Sequence, residues 1–364
     1  RARKVYNTHE KADLHHSPIP RWDLIDLRGY AHACVQYTRG CPFDCDFCDV
    51  TTLFGRKMRT KETAQVLDEL DRLYELGWRN EVFFVDDNFI GNKTKLKTEL
   101  LPALAEWTES RDYPFTFYTQ ASINLADDSE LMEMMVRAGF NNVFIGIETP
   151  SEEGLAECNK TQNRGRDLVQ CVRKIQRSGI QVRAGFILGF DSDDGSVFTS
   201  LIDFIQESGI VMAMVGLLNA PRGTRLFERL LREQRLTRIS TGDNGDGSIN
   251  FVPKMGMENL VAGYDKVIGT IYSQQAYCRR VKRFLHDYEA SHIAKVNLRF
   301  PGLAPLLKSM WHIGVLEKGR RHYWGLLLWA SRRRDWFHMA VMFSIYGHHF
   351  RKVFQAVEQQ RKMC

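Results

Sequence analysis

A strand–helix alternation that recurs six times between residues 31 and 217 constrains the fold of this 364-residue chain more than any other feature. The predicted strands are Ala33–Thr38, Glu81–Asp86, Phe115–Thr119, Asn142–Ile147, Gln181–Leu188 and Ile210–Leu217, short runs rich in β-branched and aromatic residues. Helical patterns lie between them at Glu62–Leu76, Lys95–Thr108, Ser129–Ala138, Arg166–Ser178 and Ser196–Ser208. Gly77, Gly139 and Gly179 stand where helix-ending glycines belong. Repeated βα units imply a parallel sheet with right-handed crossovers. Six units predict an α/β fold in the form of a partial (β/α)6 barrel, with an open doubly wound sheet as the alternative. Either way, the site belongs at the carboxyl ends of the strands.

The flanks differ from this core. Residues 1–30 are polar, with Pro18 and Pro20 before Arg21 and Trp22, and read as a linker from an absent upstream domain. The predicted barrel occupies 31–240. The turn-rich Thr241–Ser248 opens a third region, 241–364, that is mainly helical, basic and aromatic. Residues 279–364 hold 17 Lys/Arg against 5 Asp/Glu, whereas the rest holds 33 against 39. A neutral-to-acidic body with a tail of balance +12 points to an anionic partner. With 44% apolar and 26% charged residues, wholesale disorder is excluded. No signal peptide pattern and no unbroken apolar run long enough to span a bilayer is present.

The chemistry concentrates in Arg39–Cys48, RGCPFDCDFC, directly after the first strand. Cys41, Cys45 and Cys48 have CxxxCxxC spacing, while Cys34, Cys158, Cys171, Cys278 and Cys364 are scattered and read as buried thiols. This usage suits a reducing, cytoplasmic compartment with one metal centre. Three thiolates can hold three irons of a cubane and leave the fourth open. A zinc knuckle would normally need a fourth ligand.

With Phe47 before its last cysteine, this loop resembles the signature of the radical S-adenosylmethionine (SAM) superfamily. The resemblance implies a [4Fe-4S] cluster whose open iron chelates the methionine end of SAM, a 5′-deoxyadenosyl radical, and hydrogen abstraction from a substrate. It also implies roles at other strand ends. Val85–Phe89 (VDDNF) stands where the family holds the SAM amino group; Asp86, Asp87 and Asn88 replace the usual Gly-Gly-Glu, with helix capping as the plainer role. Glu148 and Thr149 in GIETP match a Glu–Ser/Thr pair that contacts SAM, and capping is again the alternative. Lys160 is placed to pair with the SAM carboxylate or to be solvated. Gly185, Ile187 and Gly189 (GFILG) resemble the family's GxIxG, where backbone meets adenine. Gln120, Ser122 and Asn124 follow the third strand as substrate-side candidates; no catalytic residue is assigned.

A wider resemblance covers nearly the whole chain through SPIPRWDL (17–24), QYTRGCPF (36–43), VDDNFIGN (85–92), KTQN (160–163), YSQQAYCR (272–279) and GHHF (347–350). It is to the radical SAM subgroup that carries an N-terminal cobalamin-binding domain, including the hopanoid C-2 methylase and related lipid-modifying enzymes. That implies a cobalamin-dependent methyltransferase acting on an unactivated carbon of a membrane lipid, served by a low-potential electron donor. No Asp-x-His-x-x-Gly run for cobalamin occurs here. The alternatives are lipid cyclisation or carbon–carbon coupling by the same first half-reaction, and a non-enzymatic iron–sulfur protein for electron transfer or sensing.

The tail supplies a separate expectation. His322–Ala330 and Asp335–Tyr346 are apolar, aromatic and too short to span a bilayer, and Arg332, Arg333 and Arg334 lie between them. Such segments suit peripheral association with the inner face of the cytoplasmic membrane. The rival is a helical subdomain packed on the barrel. Nucleic acid is not expected, because the aromatics sit in apolar runs rather than among the basic residues.

Overall fold

The computed structural model describes residues 10–240, 242, 247–289 and 303–363, the side chains of 358–363 excepted. The predicted linker therefore falls partly outside them at 1–9, as do most of Thr241–Ser248 and Cys364.

Among the described residues, eight strands form two sheets: β1 Ala33–Val35, β2 Thr38–Arg39, β3 Arg59–Thr60, β4 Glu81–Phe84, β5 Thr116–Gln120, β6 Phe140–Glu148, β7 Gln181–Leu188 and β8 Met212–Leu217. The main sheet runs β1-β4-β5-β6-β7-β8 and is parallel throughout, so the six predicted βα units are all present. The strands alternate through most of their length, the breaks lying at Asn142–Val143 and Ile147–Glu148 of β6 and Gln181–Val182 of β7. Val82, Phe84, Val143, Ile145, Val182, Ala184, Ala213 and Val215 point to the helical side and are buried. Their neighbours, among them Phe83, Tyr118, Phe144, Gly185 and Met214, face the other, more open side. A sheet with one fully packed face presents its second face as a surface for something else.

The predicted first strand is split. After Val35 the chain leaves the sheet, and Thr38–Arg39 pairs antiparallel with Arg59–Thr60 instead. The cause is Asp86, fully buried after β4, whose carboxylate accepts the Tyr37 N–H at 3.2 Å and the Thr38 N–H. Backbone donors that would otherwise pair in the sheet are diverted, and the short β2–β3 ribbon closes the base of the cysteine loop.

Residues 10–30 are not free chain. Leu14 and Trp22 are buried, Lys11 Nζ donates to the Leu53 carbonyl at 2.6 Å, and Arg59 donates to the Ala12 carbonyl at 2.6 Å. The region after the sheet is helical, at Arg225–Arg232, Met257–Ile271, Gln274–Asp287, Leu303–Trp311, Arg320–Ala330 and Arg334–Met363. It shares the barrel's core. A Cβ on Gly263 would lie 2.0 Å from the Phe198 ring, so glycine lets that helix close on Val197–Ser208. Tyr272 donates to the Ala213 carbonyl of β8 at 2.7 Å. Arg280 is fully buried between the rings of Tyr272 and Tyr277 and donates to the Ile271 carbonyl at 2.8 Å.

Candidate active site

The cysteine loop spans the gap between β2 and β3. Gly40 opens it at φ +105°, and a Cβ there would stand 2.9 Å from the carbonyl oxygens of Gly55 and Lys57. Only glycine accommodates both the dihedral and the approach. Cys41, Cys45 and Cys48 are half-buried, and none is in a disulfide. Gln162 Nε2 donates to the Cys45 sulfur at 3.8 Å, and the backbone amides of Phe43 and Val50 favour the thiolate forms of Cys41 and Cys48. Burial pushes all three thiols up, Cys48 to about 12, while the Lys160 ammonium pulls each the other way.

Three unpaired thiols in one loop, with a nearby ammonium that favours their thiolates, match what a thiolate-ligated iron–sulfur cluster requires. Three such thiols fit a multi-iron cluster, with each cysteine on its own iron, whereas a zinc knuckle would need a fourth ligand.

The loop is clamped by residues that local sequence does not flag. Arg225 donates to Asp44 Oδ2 at 2.9 Å and Asp46 Oδ1 at 2.7 Å, and Asn159 Nδ2 donates to the Asp44 carbonyl at 2.8 Å. Gln162, too, was quoted above only within KTQN. These contacts join positions more than a hundred residues apart, so no local pattern announces them.

At the end of β6 the register skips between Gly146 and Glu148, and Glu148 sits at φ +65°, unusual for a residue with a side chain. Asn163 holds the bulge by donating to the carbonyls of Gly146 and Ile147 at 3.1 and 3.0 Å. Glu148 and Lys160 form a buried ion pair at 2.6 Å. Burial alone would lower the Lys160 pKa, but Glu148 outweighs it and holds the ammonium charged. A Cβ at Gly146 would lie 2.2 Å from Glu148 Oε1 and 2.9 Å from Lys160 Nζ, so this glycine leaves the floor on which the pair rests. Phe47 flanks the pair, its ring centre 6.0 Å from Lys160 Nζ and 6.5 Å from the Phe190 ring.

The remaining residues divide. Asp87 is half-buried beside the loop and accepts the Gly40 N–H at 3.3 Å. Asn88 Oδ1 accepts from the Ser122 amide at 3.2 Å, and the Ser122 hydroxyl, 3.3 Å from that oxygen, donates to Asn124 at 2.6 Å. Asn88 makes no side-chain cap. Asp86 is a correction to the reading of VDDNF, because both its oxygens are spent on the backbone of Tyr37 and Thr38. Thr149 accepts the Ser151 N–H at 3.2 Å, while Ser151 itself caps the next helix. Gln120 ends β5 on the open face. So do Gly185 and Ile187 on β7, with Phe144 against Gly185. Gly189 instead makes a turn at φ +109°, its N–H held by Asp193 at 2.8 Å and its Cα against Leu260 and Leu218.

A six-stranded parallel βα sheet with a CxxxCxxC loop beyond its first strand defines the class. Residues 35–205 match the radical SAM superfamily, so the chain carries a radical SAM domain. Residues 224–363 match a domain of unknown function, DUF4070. The chain is 42% identical over 324 residues to an uncharacterized methyltransferase of Synechocystis sp., covering 88% of this chain and 60% of the relative. It is 32% identical over 358 residues to the hopanoid C-2 methylase of Rhodopseudomonas palustris, covering 95% of this chain and 66% of that one. Among solved structures, the cobalamin-dependent SAM radical enzyme OxsB, with aqua-cobalamin and SAM bound, matches 99% of this chain and 60% of its own at TM-score 0.56 and 16% identity, a likeness of fold. The chain thus spans less than two thirds of these relatives.

Proposed function

We propose that this chain is the catalytic part of a cobalamin-dependent radical SAM methyltransferase acting on an unactivated carbon of a hopanoid-like membrane lipid. The observation that carries the proposal is the juxtaposition of three unpaired loop thiols with the largely buried Glu148–Lys160 pair, whose ammonium pulls each thiol towards its thiolate. In this reading Cys41, Cys45 and Cys48 hold a [4Fe-4S] cluster. Bound there, cluster and SAM supply one-electron chemistry that yields a carbon radical able to take hydrogen from an unactivated carbon. Asp87, Glu148, Thr149 and Lys160 bind SAM: a carboxylate suits the amino group or ribose hydroxyls, and the ammonium suits the carboxylate. Asn88, Ser122 and Asn124 hold one another in a fixed polar strip, and Phe47, Gly185 and Ile187 shape the adjoining surface. Gln120 stands towards the substrate. No residue of this chain is placed on cobalamin.

The lipid rests on two supports, the likeness to the hopanoid C-2 methylase, which runs through the C-terminal region, and the apolar side chains on the open face of the sheet. There Phe83 and Tyr118 stack at 4.2 Å and Met214 is exposed. A protein at a bilayer surface with a low-potential electron donor completes the reading. The test is anaerobic reconstitution with iron, sulfide and cobalamin, followed by turnover with SAM, a reductant and hopanoid lipid. The expected product is heavier than the lipid by one methylene unit; joined chains or hydrogen loss would instead mean coupling or cyclisation, and a protein that takes up zinc alone would overturn the radical reading.

A further inference from the structure

The C-terminal region contains an apolar surface that points outward. Leu303–Trp311 continues through His312–Leu316, turns at 317–319, and returns as Arg320–Ala330, making a helical hairpin. One side is packed: Ile313, Tyr323, Leu326, Leu327 and Ala330 are buried, and Tyr323 shares a hydrogen bond with Ser309 at 2.9 Å. The other side is not. Leu303, Leu307, Trp311 and Leu328 are 72, 60, 58 and 77% exposed. A spacing of four keeps Leu303, Leu307 and Trp311 along one side of the first helix, and Trp324 and Leu328 along one side of the second. Trp324 joins the two sides, since its indole N–H donates to the Gly314 carbonyl at 2.9 Å.

The rim of this face is positive. Between 303 and 335 stand Lys308, Lys318, Arg320, Arg321, Arg332, Arg333 and Arg334, against two acids, Glu317 and Asp335. Glu317 is turned inward, accepting from Arg351 at 3.0 Å and held also by His348 and Gln274, and Asp335 pairs with Arg333 at 2.7 Å. An apolar face with two tryptophans beside a net basic rim is complementary to the surface of an anionic phospholipid bilayer.

We infer that the hairpin 303–330 is the membrane-docking surface of this protein, lying in the headgroup layer with Leu303, Leu307, Trp311, Trp324 and Leu328 toward the acyl chains. The inference rests on the lipid reading above for its choice of partner and on the hairpin for its location. It differs from the expectation drawn for Asp335–Tyr346. Met339, Ala340, Val341 and Phe343 of that segment are buried, and Trp336 stacks on Trp329 at 4.6 Å, so that segment is packing core.

The test is co-sedimentation of the full chain with phosphatidylglycerol/phosphatidylcholine vesicles and with phosphatidylcholine alone, at low and high salt. Wild-type protein should bind the anionic vesicles, less so as salt screens the rim. L307S/W311S/L328S should lower the partition coefficient at least tenfold, and R320Q/R321Q should lower it by roughly a factor of five for each charge removed. Melting temperature and SAM cleavage should stay unchanged in both, because the altered side chains are exposed and far in sequence from the cysteine loop. Trp fluorescence should shift blue on anionic vesicles, and W311S should lose part of that shift. Wild-type protein that ignores both vesicle types overturns the inference, as does a triple variant that binds like wild type. A wild-type dimer that the triple variant converts to monomer, without vesicle binding, overturns it in favour of a self-association face. Vesicle binding without a methylated lipid leaves the docking surface standing and removes the proposed substrate; methylation of detergent-dispersed lipid without vesicle binding does the reverse.

Discussion

The strand-end mouth and the C-terminal hairpin invert each other's burial. At the mouth, polar groups are inside: Asp86, Asn88, Glu148, Thr149 and Asn163 are all buried. On the hairpin, large apolar groups are outside and the one acid is inside. Burying a charge costs free energy unless a partner offsets it, and exposing leucine or tryptophan forgoes burial that folding could have used. Each region therefore departs from the arrangement that stability alone favours, in opposite directions. The difference teaches what each is suited to meet: a small polar ligand at the mouth, a broad apolar and anionic surface at the hairpin.

That contrast can be broken at its strongest point first. Cys45→Ala should abolish SAM cleavage and leave fewer irons per chain after anaerobic reconstitution, with little change in the apo-protein's melting temperature. Iron content and cleavage equal to wild type would show that the three thiols are ordinary half-buried cysteines. A smaller effect is expected at the ion pair. Glu148→Gln keeps the shape but removes the charge facing Lys160, and should weaken SAM binding by about 1–3 kcal/mol while iron content stays intact. Equal SAM affinity, read by equilibrium dialysis, would make Glu148 a counter-ion for Lys160 alone.

The smallest effect tests the seam between the two regions. Asp191 lies just past β7 and is clasped by Arg229 at 2.5 Å and Arg235 at 2.6 Å, with Lys254 at 3.4 Å, all from the segment that leads into the helical region. Burial raises its pKa, but the two guanidiniums outweigh burial and hold the carboxyl well below the usual carboxylate range. A folded-state value below the unfolded one means the unfolded chain binds the proton more readily. The clasp therefore stabilises fully above the unfolded value of about 4 and is lost as pH falls below it. Asp191→Asn should cost roughly 1–2 kcal/mol at neutral pH, an allowance made for the partly exposed arginines and their other acidic partners. Its stability curve should converge on wild type in acid. A constant gap between the two denaturation curves from neutral pH down to pH of about 3 would show that the loss is packing rather than charge.

Much of this was legible in the linear chain, and the reasons are local. Period-two alternation and glycine stops place strands and helices, so the six predicted strands coincide with β1 and β4 to β8. Likewise, three cysteines within eight residues must share one loop whatever surrounds them. Other features depend on partners distant in sequence. The early end of the first strand depends on Asp86 reaching Tyr37 and Thr38, and the clamp on the loop depends on Arg225 reaching back to Asp44 and Asp46. Lys160 was equally free, on sequence, to be solvated or buried; the bulge at Glu148 and the missing side chain of Gly146 decide for burial. The tail makes the same point most plainly. By composition, 322–330 and 335–346 are equivalent apolar, aromatic segments. Tertiary packing hides the second and leaves one side of the first exposed, because hydrophobicity fixes how strongly a side chain avoids water, while only the neighbours brought by the fold decide whether it can.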